Sequence, residues 1–137
     1  DSIAPPANIQ VVLVNPLPVI HCDRTHFIQI FQNLIDNAIK FMDKENGIIG
    51  IRCEKQKDGW LFAVEDNGPG IEQKYFEKIF QIFQTLNSGQ NKDSTGVGLS
   101  LVKKIVELYG GTISVESTPG KGTGFFFNIP ETDHSKR

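Results

Sequence analysis

Apolar residues recur at helical spacing in two long segments of the chain. The first segment includes Phe27–Phe41, and Asp23 is placed to cap its N-terminus. The residues that would face the core are Phe27, Ile30, Phe31, Leu34 and Ala38. The second segment, Gly98–Tyr109, has the same periodicity and is followed by two glycines, which are typical of a helix end. The pattern therefore predicts two amphipathic helices, the first ending near Met42.

A third segment, Glu72–Phe83, also has helical spacing, with Phe76, Ile79, Phe80 and Phe83 on one side. The stretch that follows, Leu86–Ser94, is polar, contains glycine and has no hydrophobic period. We predict that this stretch and the helix before it form a mobile lid over about residues 72–95.

Short runs of β-type residues predict six strands. They are Val11–Val14, Val19–Cys22, Ile48–Glu54, Trp60–Glu65, Thr112–Glu116 and Gly124–Ile129. The Lys57-Asp58-Gly59 turn favours a hairpin between the third and the fourth. Strands mixed with three helices predict an α/β fold, a two-layer α/β sandwich in which a mixed sheet carries helices on one face. We assign the domain to residues 1–131 and a disordered tail to residues 132–137.

The first helix carries three polar side chains at the border of its apolar face, Asn33, Asn37 and Lys40. Spacings of four and three residues place them on one narrow stripe. Because Mg²⁺ takes oxygen ligands and a lysine neutralises phosphate oxygens, the stripe suits a magnesium ion with a polyphosphate. The alternative is the solvated flank of an ordinary amphipathic helix.

Three glycine-rich clusters accompany this stripe. In Asp66–Ile71 a carboxylate that can accept from an exocyclic amine ends an apolar strand, before a loop whose backbone can approach a ligand. Thr95–Leu99 opens a helix, and free N–H groups at a helix N-terminus bind phosphate oxygens. Gly120–Gly124 joins two strands. Each cluster alone also fits a simple turn or loop, and none is a Walker A loop or a dinucleotide fingerprint.

Composition narrows the classes of function. The formal net charge of the 137 residues is −2, which gives no basic footprint for nucleic acid, and no apolar run approaches the roughly 20 residues that span a bilayer. We therefore expect neither a nucleic acid partner nor direct membrane contact. Cys22 and Cys53 lack metal-site spacing, so reduced structural thiols in the cytoplasm are expected. The chain starts at Asp1 without a signal-type segment, which suggests a piece of a longer protein.

Five motifs occur in order along the chain. They are Asn-x-x-x-Asn-Ala-x-Lys-Phe at Asn33–Phe41, Asp-Asn-Gly-Pro-Gly-Ile at Asp66–Ile71, Ile-Phe-x-x-Phe at Ile79–Phe83, Thr-Gly-x-Gly-Leu at Thr95–Leu99 and Gly-x-Gly-Thr-x-Phe at Gly120–Phe125. Together they resemble the N, G1, F, G2 and G3 boxes of the sensor histidine kinase catalytic domain. The resemblance implies the Bergerat-type ATP-binding fold shared with gyrase, Hsp90 and MutL ATPases, with ATP under a flexible lid.

The resemblance also implies a reaction and its partners. The γ-phosphoryl group of MgATP would pass to a histidine on a separate dimerisation domain, and a response regulator receiver domain would be a further partner. His21, His26 and His134 are not in the His-Glu/Asp-x-x-x-Pro context of the family's acceptor, so we expect the acceptor outside this chain. Because dimerisation in this family resides in the acceptor helices, the isolated domain is expected to be a monomer.

By position in the motifs, one set of residues is implied at the polyphosphate. Asn37 would bind Mg²⁺, Asn33 would lie near the phosphates and Lys40 would contact them. The residues that would cradle the phosphates from the end of the lid are Thr95, Gly96, Val97, Gly98 and Leu99. The resemblance also implies that Phe80 and Phe83 anchor the lid by packing, a role hardly different from that of ordinary core residues.

A second set is implied at the adenine. Phe41 would lie against the ring, and Asp66 would accept from the adenine amino group. Gly70 would let the base approach, and Thr123 would support the Asp66 carboxylate directly or through water. The other binding residues of this loop would be Gly68 and Ile71.

The chain departs from the family pattern at three places. Asp93-Ser94-Thr95 stands where many members have another glycine, and Met42 stands where Ser or Thr is common. The lid also lacks the arginine that many members place near the γ-phosphate. Lys78 or Lys92 is a hypothetical substitute.

Two other classes of function also involve ATP binding. A gyrase- or Hsp90-type ATPase would need a carboxylate base in the N box, but Asn33 occupies the place where those enzymes carry Glu, which favours phosphotransfer over hydrolysis. A catalytically silent adenine-nucleotide-binding module would act through partner proteins without transferring phosphate.

Overall fold

The computed structural model describes residues 9–15, 18, 22–80 and 98–131. This part of the chain contains two α-helices, α1 (Arg24–Lys40) and α2 (Gly98–Leu108). Its strands are β1 (Ile9–Leu13), β2 (Gly47–Gln56), β3 (Gly59–Asp66), β4 (Ile113–Thr118) and β5 (Gly122–Pro130). Between β3 and α2 it forms two short 3₁₀ turns, Gln73–Tyr75 and Lys78–Phe80.

The five strands form one mixed sheet in the order β1-β2-β3-β5-β4. β1 pairs with β2 in parallel, and the other pairs are antiparallel. β2 and β3 are the predicted hairpin, in which Gln56 pairs with Gly59 across the turn. Because β5 lies between β3 and β4, Asp66 pairs with Thr123, which in turn pairs with Ser117.

Alternation along the strands places one face of the sheet against both helices. Phe62 of β3 and Phe127 of β5 are fully buried, and their rings stack with centroids 5.2 Å apart. Phe31 of α1 packs edge-on against both rings, at 5.9 and 5.5 Å. Val102 and Val106 bring α2 into the same core. The predicted two-layer α/β sandwich, with helices on one face of a mixed sheet, is confirmed.

Both long helices predicted from the sequence are confirmed. Asp23 caps α1, since its carboxylate accepts from the Thr25 N–H at 2.8 Å, and α1 ends at Lys40, close to the predicted end. α2 ends before its glycine pair, where the Gly111 N–H donates to the Val106 carbonyl at 3.0 Å. None of the helices in the described ranges combines the length and apolar character that crossing a bilayer requires.

The prediction of one continuous helix over residues 72–83 is wrong for its described part. Residues 72–80 form two 3₁₀ turns instead. An apolar spacing of three, as between Phe76 and Ile79, puts side chains on one side of a 3₁₀ turn as well as of an α-helix. Ile79 is buried, so this segment joins the core without a regular helix.

Some predictions differ at their ends or fall on other residues. The predicted strand at 11–14 is β1, which begins two residues earlier, and the Val14 N–H still donates to the Ile51 carbonyl at 2.8 Å. The predicted strand at 19–22 lies outside the described residues except for Cys22, which is in a bend. The lid beyond residue 80 and the tail at 132–137 also lie outside them.

Candidate functional site

The Asp66 carboxylate lies at the end of β3, beside β5. Its Oδ1 accepts from the Gly68 N–H at 2.8 Å, and the backbone N–H of Thr123 also donates to the carboxylate. Burial raises the pKa of Asp66, and the nearby Asp43 adds to this effect. The two N–H groups and Lys44 oppose it. Asp66 is therefore a half-buried acceptor suited to a donor such as an exocyclic amine.

The loop that follows Asp66 is fixed against the turn between β4 and β5. The Gly120 N–H donates to the Pro69 carbonyl at 2.6 Å. Gly70 has a φ of +81°, and a Cβ at this position would collide with the Thr118 carbonyl oxygen. Glycine is required at position 70 because two backbone segments approach each other there. The first and third glycine clusters of the sequence therefore meet in space.

Ser117 joins the same two segments and is a site residue that the sequence analysis missed. Its Oγ accepts from the Ile71 N–H at 2.7 Å and donates to the Gly122 carbonyl at 2.7 Å. It also lies 3.1 Å from Thr123 Oγ1. Val115 and Ser117 lie on the more buried face of β4. A serine in the apolar phase of a strand is the pattern that could have identified it.

The polar stripe of α1 lies beside the N-terminus of α2. Asn33 Nδ2 donates to the Gln29 carbonyl at 2.8 Å, and Asn33 Oδ1 lies 3.3 Å from the point that a Cβ on Gly98 would occupy. Asn37 and Lys40 follow on the same stripe and are half-buried. The structure therefore brings the stripe and the start of α2 together, as phosphate binding by both would require.

The C-terminus of α1 meets the loop that contains Gly68. Phe41 is the C-cap residue that follows α1, and its N–H donates to the Asn37 carbonyl at 3.3 Å. The Cα of Met42 lies 3.9 Å from the point that a Cβ on Gly68 would occupy, and Lys44 Nζ donates to the Gly68 carbonyl at 3.4 Å. Met42 and Lys44, just after α1, therefore border the carboxylate loop.

The second glycine cluster is described only in part. Gly98 is the first residue of α2, and Leu99 packs against the core. The predicted residues that lie outside the described ranges are Thr95, Gly96 and Val97 in this cluster and Phe83 and Lys92 in the lid.

The structure also gives the positions of other residues that the sequence analysis considered. His26 Nδ1 is 2.7 Å from the Tyr109 hydroxyl, at the junction of α1 and α2. Phe80 packs edge-on against Phe125, with ring centroids 6.0 Å apart, whereas Lys78 is exposed. Two further histidines lie outside the described residues, His21 and His134.

The fold and the site define the class of protein. A mixed sheet covered by helices on one face holds a half-buried carboxylate, a glycine-rich loop and a polar helical stripe beside a second helix N-terminus. Residues 22–133 match the family described as histidine kinase-, DNA gyrase B-, and HSP90-like ATPase. The chain belongs to this family.

Within the family, the similar proteins include sensor histidine kinases. The chain is 45% identical over 117 residues to phytochrome-like protein Cph1 of Synechocystis sp., which covers 85% of this chain and 16% of that protein. It is 38% identical over 125 residues to the circadian input-output histidine kinase CikA of Synechococcus elongatus, which covers 90% of this chain and 16% of that protein. The chain thus spans about a sixth of the length of these curated relatives.

The solved structures agree with this placement. The catalytic domain of histidine kinase ThkA superposes with a TM-score of 0.77 at 35% identity, covering 92% of this chain and 82% of that domain. Full-length ShkA in complex with AMPPNP superposes with a TM-score of 0.75 at 30% identity, covering 91% of this chain and 26% of that protein. The chain is therefore similar in fold and sequence to histidine kinase catalytic domains over nearly its whole length.

Proposed function

We propose that this domain transfers the γ-phosphoryl group of MgATP to a histidine on a separate dimerisation domain of its parent protein. The observation that carries the proposal is the meeting of the α1 stripe with the start of α2, next to the loop of Asp66. In phosphoryl transfer the protein mainly positions the reactants and neutralises charge, which suits amide, ammonium and backbone N–H groups. We further propose that the isolated domain is a cytoplasmic monomer and that a response regulator receiver domain is the next partner.

The adenine is assigned to the carboxylate loop. Asp66 would accept from the 6-amino group. Its half-buried carboxylate lies at the end of β3, where the Gly68 N–H orients it by donating to Oδ1. Phe41 would lie against the ring, and Thr123 would support the carboxylate through its backbone N–H. Two loop residues would shape the pocket around the base, Gly70 and Ile71.

The polyphosphate is assigned to the cleft between α1 and α2. Lys40 would neutralise phosphate oxygens, and backbone N–H groups at the start of α2 would donate to them. Asn33, whose Oδ1 faces Gly98, would hold the stripe and the helix start in register. The cradle would be completed by Thr95, Gly96 and Val97.

A magnesium ion fits this site as a partner of the phosphates. Among the residues that the structure describes, no group of three or more His, Cys, Asp or Glu side chains is placed to hold a metal ion. Mg²⁺ suits such a site, since it keeps several waters and takes substrate phosphates as ligands. Asn37 would supply an amide oxygen from the half-buried stripe. The ion would neutralise charge that develops on the phosphates.

Phosphorylation in trans tests the proposal. The domain would be mixed with the histidine-containing dimerisation domain of its parent protein and radiolabelled MgATP, and acid-labile phosphohistidine would be measured. We expect native rates for Asp36→Ala, an exposed neighbour on α1. We expect Asn37→Ala to lose about 100-fold or more in rate, as when one group that stabilises transition-state charge is removed.

Two outcomes would contradict this assignment. Binding of ATP without labelling of the acceptor would favour the catalytically silent module. Release of free phosphate at the rate of ATP consumption, without phosphohistidine, would favour hydrolysis. The amide of Asn33 argues against hydrolysis, because a carboxamide cannot act as a general base.

A further inference from the structure

Ser117 lies at the centre of a hydrogen-bond chain next to Asp66. Its single hydroxyl proton goes to the Gly122 carbonyl, 2.7 Å away, because a carbonyl oxygen can only accept. The Ile71 N–H, at 2.7 Å, uses one lone pair of Ser117 Oγ. Ser117 then has no second proton for the 3.1 Å contact with Thr123 Oγ1, so Thr123 must donate in that contact.

This chain fixes the orientation of the Thr123 hydroxyl. With its proton directed at Ser117, Thr123 Oγ1 offers only lone pairs to its other neighbours. Thr123 is buried and is the cross-strand partner of Asp66, to whose carboxylate its backbone N–H donates. The ends of β3 and β5 therefore present two neighbouring acceptors, the Asp66 carboxylate and the Thr123 hydroxyl oxygen.

We propose that Ser117 is a positioning residue that makes the site select purine nucleotides with a 6-amino group over those with a 6-oxo group. An amino group carries two protons and suits two acceptors, directly or through a bound water. A 6-oxo group would face the same acceptors with lone pairs and leave buried acceptors unpaired. Ser117 acts through Thr123 and need not touch the nucleotide. The inference rests on the proposed position of the base at Asp66.

The test compares ATP with inosine triphosphate, in which a 6-oxo group replaces the 6-amino group. Isothermal titration would give the Kd for inosine triphosphate divided by the Kd for ATP. This ratio would be measured for the native domain, for Ser117→Ala and for Ser114→Ala, which changes an exposed serine on the same strand. We expect Ser114→Ala and Ser117→Thr to keep the native ratio. Ser117→Ala should lower it about tenfold, because the freed Thr123 hydroxyl can turn and donate to the 6-oxo group.

A double variant distinguishes positioning from a general effect on folding. Thr123→Val removes the hydroxyl through which Ser117 is proposed to act. Adding Ser117→Ala to Thr123→Val should therefore leave the ratio where Thr123→Val alone puts it. Thermal melting would show which variants are folded. Ser117→Cys, which keeps the shape with only a weak donor, takes the place of Ser117→Ala if the alanine variant does not fold.

Three results would count against these conclusions in different ways. Equal weakening of both nucleotides by Ser117→Ala, with the ratio unchanged, would overturn the positioning role. Additive changes of the ratio in the double variant would also overturn it. Failure of the native domain to bind ATP would overturn the proposed function, and the role of Ser117 with it.

Discussion

At the scale of single residues, Asp66 combines a proposed binding role with an environment that disfavours its charge. Its burial disfavours the charge, while the N–H groups of Gly68 and Thr123 stabilise it. The sequence alone identified Asp66, because a carboxylate ends an apolar strand before a glycine-rich loop. It did not identify Ser117, which the pairing of β4 with β5 brings beside Thr123 and to which the loop after β3 brings the Ile71 N–H.

The raised pKa of Asp66 predicts a definite pH dependence of stability. Since the folded domain binds this proton more tightly than the unfolded chain, native stability relative to Asp66→Asn should fall as pH rises from the ordinary carboxyl pKa through the raised one. Below that window the difference should be constant. Urea unfolding of both proteins from about pH 4 to pH 7 measures it, with the exposed Asp36→Asn as the control. A difference that grows in favour of the native domain with rising pH would show that the pKa is lowered instead.

At the scale of elements, long periodic patterns predicted structure better than short ones. α1 and α2 carry several turns of apolar spacing, and both formed as predicted. Residues 72–80 have too few turns to distinguish an α-helix from 3₁₀ turns, because both satisfy a spacing of three. The locking of the Asp66 loop onto the β4–β5 turn was also beyond prediction, since it depends on contacts between segments distant in sequence.

Two glycines form a matched pair that tests the contact between the loop after Asp66 and the β4–β5 turn, called the locked loop below. Gly70 and Gly120 have φ values of +81° and +84°, but a Cβ would meet the Thr118 carbonyl at position 70 and open space at position 120. We expect Gly120→Ala to lower the free energy of unfolding by about 1 kcal/mol, the backbone cost alone. Gly70→Ala should lose roughly 1–3 kcal/mol more, because the loop and turn must separate. Equal losses in urea unfolding would argue against the locked loop.

At the scale of the whole molecule, sheet order determines the site. β5 lies between β3 and β4, and this order brings Asp66, Thr123 and Ser117 side by side. The hydrophobic pattern predicted the sandwich and its layers but not this order, because strand pairing distant in sequence leaves no local periodicity. The motif resemblance supplied proposed roles for individual residues, which periodicity could not.

The stacked rings of Phe62 and Phe127 pack β3 and β5, the strands that carry Asp66 and Thr123, against the core. Phe127 is fully buried against Phe62, whereas Phe126 lies on the other face of β5 and is partly exposed. We expect Phe127→Ala to lower the free energy of unfolding by about 3–5 kcal/mol and Phe126→Ala to lower it by clearly less. Chemical denaturation of both variants measures this. A similar loss for the two would place the main core elsewhere.

Binding of ATP with its base at Asp66 is the claim on which the proposed function depends. Isothermal titration with a non-hydrolysable ATP analogue, with and without Mg²⁺, tests it most directly. The native domain should bind, and more tightly with Mg²⁺. Asp66→Asn should weaken binding by about 10- to 100-fold, the worth of one charge-assisted hydrogen bond. Native-like affinity in Asp66→Asn, or no binding by the native domain, would contradict the claim.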